Sequence, residues 1–379
     1  MKLIHLSDLH LGKRLNEFSL LEDQKYILTQ ILSLIAGEQP DGVLLAGDIY
    51  DKPIPPAEAV QLFDYFLTKL ADQNIPVFVV NGNHDSAERL AFGAQLMSGR
   101  GVYVAPVYDG QVRRVCLEDT YGEVQIHLLP FLKPALVRHA LEEEGIDSYQ
   151  AALAAAVSRV ETSGTARHVL VAHQFVTGAS RCESEEIPVG GLDNVEAAVF
   201  EKFDYVALGH LHSPQRVGRE SLRYCGTPLK YSFSEAGQEK TLTVAELRTK
   251  GDVRIRELPL RPLRDLRKVR GSYMEVTARS FYEKFNQEDY VHITLTDEED
   301  IPDGLAKLRV IYPNLTQLAY DNRRTRGGVG NEGGVDLEQK SELALFEEFY
   351  ERQNNQEMSG EQRDFVRRLI EKLREGDQR

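Results

Sequence analysis

The sequence predicts an α/β protein: a two-layer β-sandwich core flanked by helices, then a small α/β cap domain and C-terminal helices. Three observations predict it. Through the first hundred residues, short apolar runs alternate with stretches of helical periodicity, the pattern of βαβ units and a mainly parallel sheet. Five apolar runs along the chain end in residues that ligate metals or move protons: Asp8-Leu9-His10, Gly47-Asp48-Ile49-Tyr50-Asp51, Gly82-Asn83-His84-Asp85, Ala172-His173-Gln174 and Gly209-His210-Leu211-His212. The 379 residues also exceed one ordinary core, so two or three domains are expected.

In chain order, Leu3–Leu6 reads as a strand and Leu21–Ile35 as a helix. Val43–Ala46 is a second buried strand, Ala57–Leu70 a second helix and Val77–Val80 a third strand, with a helix from Ala87 to Leu96. Val112–Leu117 and Val124–Leu129 form an antiparallel pair, and Ala151–Val160 is helical. Val169–Ala172 and Tyr205–Leu208 are apolar strands running into histidines. Leu222–Tyr224, Thr241–Leu247 and Val253–Leu258 are expected to close a second sheet near residue 260.

Residues 261–326 read as the α/β cap domain. It opens on a basic crossover from Arg261 to Arg270, followed by strands at Met274–Thr277 and Tyr290–Leu295 and a helix at Leu305–Ile311. Residues 327–340 are glycine-rich and flexible by composition. Residues 341–379 form two terminal helices. Glu342, Phe346, Phe349 and Tyr350 share a face of the first. Ser359 and Gln362 form a capping box opening the second, and Phe365, Val366, Leu369, Ile370 and Leu373 make its apolar stripe.

The net charge of −14 argues against bulk attraction to a polyanion, so a nucleic-acid substrate needs a local basic surface or help from metals. Cys116, Cys182 and Cys225 are widely spaced, without CxxC, and read as reduced, mostly packed thiols of a cytoplasmic protein. The first residues carry Ser7-Asp8 too early for a signal peptide, and no run approaches the roughly 20 apolar residues of a membrane helix.

Asp8 and His10 are spaced i, i+2, which in an extended segment points both side chains the same way. His210 and His212 repeat the spacing. Glycines 47, 82 and 209 precede ligand positions and permit tight turns. Four imidazoles, from His10, His173, His210 and His212, are a poor set for magnesium or calcium and suit manganese, iron, zinc or cobalt. With Asp8, Asp48 and Asn83 they are enough for two cations that share a carboxylate and activate water for phosphoester hydrolysis. His84 is left over. Asp85 beside it can orient its ring, so the imidazole is free to stabilise a phosphoryl group or protonate a leaving oxygen. His5, His127, His139, His168 and His292 fall outside the pattern and are given no metal-binding or catalytic role.

The order DxH, GDxxD, GNHD, H, GHxH resembles the calcineurin-like metallophosphoesterase superfamily. The opening Met1-Lys2-Leu3-Ile4-His5-Leu6-Ser7-Asp8-Leu9-His10-Leu11-Gly12, the segment Ala46–Asp51 and the stretch Tyr224–Phe233 narrow the resemblance to the nuclease subunits of SbcCD-type complexes, over essentially the whole chain. The resemblance implies Asp8, His10 and His212 on one manganese, Asn83, His173 and His210 on the other, Asp48 as the bridge and His84 as the catalytic histidine. Archaeal members carry a second histidine three residues after the bridging aspartate. Asp51 stands there instead, so that role is not carried over, and Asp51 is left to hold the loop.

The resemblance also implies a 3′ to 5′ exonuclease on double-stranded DNA that cuts single strands and hairpins endonucleolytically. Its partner is an SbcC-type ABC ATPase with a coiled coil, joined to a homodimer within a heterotetramer through the terminal helices. Lys13 and Arg14, just past the first motif, are candidates for DNA phosphates. The alternatives left open are a phosphatase or cyclic-nucleotide phosphodiesterase on the same fold, and a scaffold that chiefly binds DNA ends.

Overall fold

The computed structural model of the chain describes residues 1–162, 164–180, 194–327, 342–354 and 356–376. It divides into two compact units, Met1–Asp265 and Leu266–Arg379.

The first unit holds two six-stranded sheets. In the first, Lys2–Leu6, Gly42–Ala46, Val77–Val80 and Val102–Val104 run parallel in that order. The helices Leu21–Glu38 and Ala57–Asp72 make the first two crossovers. In the second, Gly122–Leu128, Arg167–His173, Tyr205–Gly209 and Arg219–Tyr224 are parallel neighbours. Arg113–Asp119 pairs antiparallel at one edge and Gln215–Val217 at the other.

Between the sheets, Leu3, Leu44, Ala46 and Phe78 meet Ile126, Val169, Val171 and Ala207. The intervening residues Leu170, Ala172, Val206 and Leu208 pack the second sheet's outer face against the Tyr149–Ser158 helix. Both faces being covered, these strands are near-continuous apolar runs rather than alternating ones. Because they run parallel, their C-terminal ends deliver Asp8, Asp48, Asn83, His173, His210 and His212 to one rim.

In this unit three elements depart from the sequence expectation. Thr241–Leu247 and Val253–Leu258 are strands, but they join the first sheet: Lys240–Leu247 lies antiparallel to Lys2–Leu6, with Val253–Leu260 outside it. A period-two pattern identifies a strand and not its neighbour. The helix expected from Ala87 to Leu96 is two short helices, Ala87–Leu90 and Ala94–Ser98, separated where Gly93 adopts φ 74°. Of the cysteines expected to be packed, Cys225 is buried and Cys116 is exposed; Cys182 lies outside the described residues.

His5 ties the two sheets together. Its Nε2 meets the Leu208 carbonyl oxygen at 3.1 Å and its Nδ1 meets the Tyr205 hydroxyl at 2.9 Å. The carbonyl can only accept, so Nε2 carries the proton and the tyrosine donates. Burial, reinforced by the charge of Arg223, lowers this imidazole from 6.5 to about 3. The folded state therefore binds fewer protons than the unfolded chain. The stability His5 contributes is fully present above pH 6.5 and is lost as pH falls toward 3. A group shifted this far contributes on the order of 4–5 kcal/mol across that window. Urea unfolding at pH 7 and pH 4.5 checks this. Replacing His5→Gln should shrink the stability difference between the two conditions; an unchanged difference would reject the assignment.

In the second unit, Leu266–Gly271, Tyr290–Leu295 and Leu315–Tyr320 form a three-stranded parallel sheet. Val269, Ile293, Leu295, Leu308 and Tyr312 make its core. The segment read as a basic crossover thus contains a strand. Its buried residues, Leu266 and Val269, are three apart, so it lacks a strand's usual alternation. Met274–Thr277, expected as a strand, is instead part of a helical turn, Tyr273–Val276. A capping box opens it, with Ser272 Oγ accepting from the Glu275 N–H and the Glu275 carboxylate accepting from Ser272 N–H.

The terminal helices span Glu342–Asn354 and Gly360–Gly376. Gln362 Oε1 accepts from the Ser359 N–H at 2.8 Å and Ser359 Oγ from the Gln362 N–H at 3.3 Å, completing a second box. The glycine-rich stretch from Gly328 to Gly334 and the side chain of Leu373 lie outside the described residues. Among the described residues, no helix is long and apolar enough to cross a membrane.

Candidate metal centre

The first motif does not continue its strand. Asp8 and His10 both turn left-handed, at φ 53° and 43°, as does Asp48 at 50°, and His210 sits at 108°. Such torsions cost non-glycine residues of order 1–3 kcal/mol each and cluster at functional sites. Backbone bonds hold them here: Asp8 N–H donates to the Gly47 carbonyl, and His10 and Leu11 N–H donate to Asp48 and Ile49, all at 2.9 Å. The convergence of Asp8 and His10 therefore comes from these paired turns, not from extended alternation. The second i, i+2 pair separates. His210 Nδ1 lies 3.1 Å from Asn83 Oδ1, whereas His212 Nε2 lies 3.3 Å from His10 Nε2.

Two groups of electron-pair donors result, with Asp48 between them. Asp8, His10 and His212 each place an atom within 4.8 Å of the others, and so do Asp8, Asp48 and His173, and His10, Asp48 and His84. Asp48 Oδ2 is 3.4 Å from His173 Nε2, 3.7 Å from His10 Nε2 and 4.0 Å from His84 Nε2.

The proton arrangement tests whether cations fit. His173 donates its Nδ1–H to the Ala46 carbonyl at 2.9 Å, so a neutral ring presents a lone pair at Nε2. That lone pair faces two further acceptors, Asn83 Oδ1 at 3.0 Å and Asp48 Oδ2. His212 likewise commits Nδ1 to Glu235 Oε1 at 3.3 Å and turns Nε2 toward His10 and Asp8. Buried acceptors facing one another repel unless a positive charge lies among them, and a second nitrogen held by carbonyl or carboxylate is the usual support of a metal-binding histidine. The residues therefore fit two divalent cations.

The protein's own charges report the same demand. Against the cost of burial, the Asp48 carboxylate lifts His173 to about 9. Burial would raise Asp48, but His173, His10 and His84 outweigh it and hold the carboxyl far below its usual range. Burial pushes Asp8 up to about 6 and His10 well below its ordinary value.

The glycines act through space rather than torsion at two of the three positions. Gly47 is left-handed at φ 86°. Gly82 and Gly209 are not, yet a Cβ on Gly82 would lie 2.0 Å from Asp48 Oδ1, and one on Gly209 would lie 1.8 Å from the Ala46 carbonyl oxygen.

His84 borders the donors at the solvent side. Its Nδ1 meets the Asp51 carbonyl oxygen at 3.0 Å, and its ring stands edge-on to His10 with centroids 4.9 Å apart. Asp85 does not orient it. The Asp85 carboxylate accepts the backbone N–H groups of Ile49, Tyr50 and Gly82 and so holds the second and third motifs together. Asp51 fills the orienting role through its main chain, while its carboxylate binds Lys13 at 2.7 Å. Lys13 also lies over the Tyr231 ring, 5.7 Å from its centroid. Arg14 is exposed, donates to the Glu17 carbonyl, and lines a cleft of about 840 Å³ with Asp51, Lys52 and Glu58.

Sequence reasoning missed the groups behind the donors. Ser7 hydrogen-bonds Asp8 and contacts Cys225, Tyr231 donates to the Leu9 carbonyl, and Glu235 holds His212. They lie up to 222 residues from their partners in the chain, so no local spacing reveals them.

A calcineurin-like phosphoesterase family model matches residues 1–214. One described as the type 5 capsule protein repressor C-terminal domain matches residues 262–354. The SbcD subunit of the SbcCD nuclease of Staphylococcus epidermidis is 32% identical over 377 residues, covering 98% of each chain. Among solved structures, a dimetal phosphatase from Danio rerio is 11% identical and covers 68% of this chain and 95% of its own, with a TM-score of 0.42. TT1561 of Thermus thermophilus is 10% identical and covers 68% of this chain and 98% of its own, with a TM-score of 0.37.

Proposed function

Because the chain belongs to the calcineurin-like phosphoesterases, and among them to the SbcD nucleases, we propose that it is the metal-dependent DNA nuclease subunit of an SbcCD-type complex, with Asp8, His10 and His212 holding one cation, Asn83, His173 and His210 the other, and Asp48 bridging them. The observation that carries the chemistry is the pair of buried acceptor groups meeting at Asp48. The nitrogen-rich donor set favours a transition metal over magnesium or calcium, and the resemblance to the SbcD nucleases points to Mn2+ among these. When bound, the two ions supply Lewis acidity at the phosphoryl oxygens and an acidified water as nucleophile.

The chain's own contribution is positional. Asp48 keeps the two donor groups in register. His84 donates its Nδ1–H to the Asp51 carbonyl and keeps Nε2 for the substrate; as the imidazolium it carries a proton there, with which it steadies the phosphoryl group or protonates the departing oxygen. Cleavage then proceeds as 3′ to 5′ degradation of duplex ends and endonucleolytic cutting of single strands and hairpins. Residues 1–260 carry this chemistry, 261–326 form the α/β capping domain that binds DNA, and Lys13 and Arg14 contact DNA phosphates.

The terminal helices, 341–379, dock on the coiled-coil base of an SbcC-type ABC ATPase. Phe365 and Leu369 are 62% and 47% exposed, an apolar face that suits a helix-in-groove contact. Two copies of the chain pair within a heterotetramer that works on DNA in the cytoplasm.

Purified protein given MnCl2, an end-labelled duplex and para-nitrophenyl phosphate tests this. Degradation of the duplex that stops with chelator and returns with Mn2+ is expected. Turnover of the small ester alone would reject the nuclease in favour of a phosphatase.

A further inference from the structure

The two proposed cation positions are alike in first contacts and unlike in what stands behind them. His173 is backed by a neutral group, the Ala46 carbonyl oxygen. His212 is backed by a carboxylate, Glu235, which is fully buried. That carboxylate is paired with an equally unusual cation: Lys240 is 4% exposed, with Nζ 2.6 Å from Glu235 Oε2, 2.8 Å from the His212 carbonyl oxygen and 2.8 Å from Gln238 Oε1. Lys240 thus grips His212 twice, by its main chain and, through Glu235, by its ring.

The same loop reaches the other donors of that group. Cys225 Sγ is 3.1 Å from Ser7 Oγ, which hydrogen-bonds Asp8. Tyr231 stands edge-on to His10, with centroids 5.6 Å apart. So the segment from Cys225 to Lys240 braces Asp8, His10 and His212, and the counterpart behind His173 is main chain of the first sheet.

We propose that Glu235, held by Lys240, is a positioning residue that fixes the Nδ1–H tautomer of His212 and makes the Asp8–His10–His212 position the tighter-binding of the two. A buried charged pair is costly unless its partners are satisfied, and here Gln238 and Thr227 help to satisfy it while both of its members also contact His212. A carboxylate accepting Nδ1–H makes the imidazole a stronger donor at Nε2 than a neutral carbonyl does, and loss of such a partner lowers metal affinity by about 10–100-fold.

The inference rests on the two-cation reading, and calorimetric titration of the metal-free full chain with MnCl2 separates the two. Wild type should bind two ions of unequal affinity. Glu235→Gln should weaken the tighter one about 10–100-fold and leave the other within a factor of about two. The double variant Glu235→Gln/Lys240→Met, which removes the unpaired lysine charge, should show the same one-site loss with the unfolding temperature of the metal-free protein restored. Wild type binding fewer than two ions would overturn the two-cation reading and the inference with it. Two ions in wild type, with both affinities unchanged or both weakened equally in the double variant, would overturn the inference alone.

Discussion

Replacing His84→Gln should abolish cutting while leaving metal content and DNA affinity as they are. Glutamine keeps the side chain polar and near the donors but has no proton to transfer at neutral pH. Loss of a positioned acid typically lowers turnover by about 10²–10⁴-fold, or roughly 2.7–5.5 kcal/mol in barrier. The geometry says why the damage should stay local. His84 Nε2 is 4.0 Å from Asp48 Oδ2, against 3.4 Å for His173, and its side chain is 17% exposed where that of His173 is fully buried. It borders the donors without being enclosed by them. Single-turnover cleavage of a labelled duplex, elemental analysis for manganese and fluorescence anisotropy with DNA make the comparison. Cutting at the wild-type rate would remove His84 from the mechanism. Loss of bound metal would make it a ligand instead. If cells carrying the variant still repaired DNA normally, the complex would depend on end binding more than on cleavage.

The order of the motifs was legible in the sequence for a definite reason. Parallel strands expose their C-terminal ends on one side, so each apolar run announced where its following residues would arrive. What was not legible depended on partners remote in the chain. Asp8 and His10 converge because their turns are hydrogen-bonded to Gly47 and Asp48, about forty residues on; the i, i+2 spacing suggested the right outcome by the wrong geometry. Lys240–Leu247 carried a strand pattern but nothing that chose Lys2–Leu6 as its neighbour. Glu235 lies just past the stretch that carried the family resemblance, and its link to His212 exists only once that strand is in the first sheet and Lys240 is buried beside it. The helical turn at Tyr273–Val276 is a different case. Its Ser272 and Glu275 stood at capping-box spacing, a local signal overlooked beside the β-forming residues around it.

Gly209→Ala should disable the centre by forcing the sheets apart. Gly209 pairs with His173 in the second sheet, and its backbone packs directly against the first. The added methyl would lie 1.8 Å from the Ala46 carbonyl oxygen and 2.8 Å from His173 Nδ1. These are the two atoms of the 2.9 Å hydrogen bond that fixes the His173 tautomer. Neither neighbour can yield easily, since the carbonyl belongs to a central strand and the imidazole is fully buried. Overpacking of this kind costs about 1–3 kcal/mol, equivalent to a fall of roughly 2–12 °C in Tm for a domain of this size. The functional loss should be larger than the stability loss, because moving Ala46 frees the ring that must point Nε2 at Asn83 and Asp48. Gly37→Ala supplies the contrast. Gly37 lies on the exposed face of the Leu21–Glu38 helix with nothing within 4 Å of a built Cβ, so the change should be neutral or stabilise by up to about 1 kcal/mol. Thermal unfolding and manganese-dependent cleavage of both variants decide the matter. A Gly209→Ala protein that kept the wild-type Tm and rate would mean that the sheets have slack at this rim and that the glycine is not what lets the two donor groups meet.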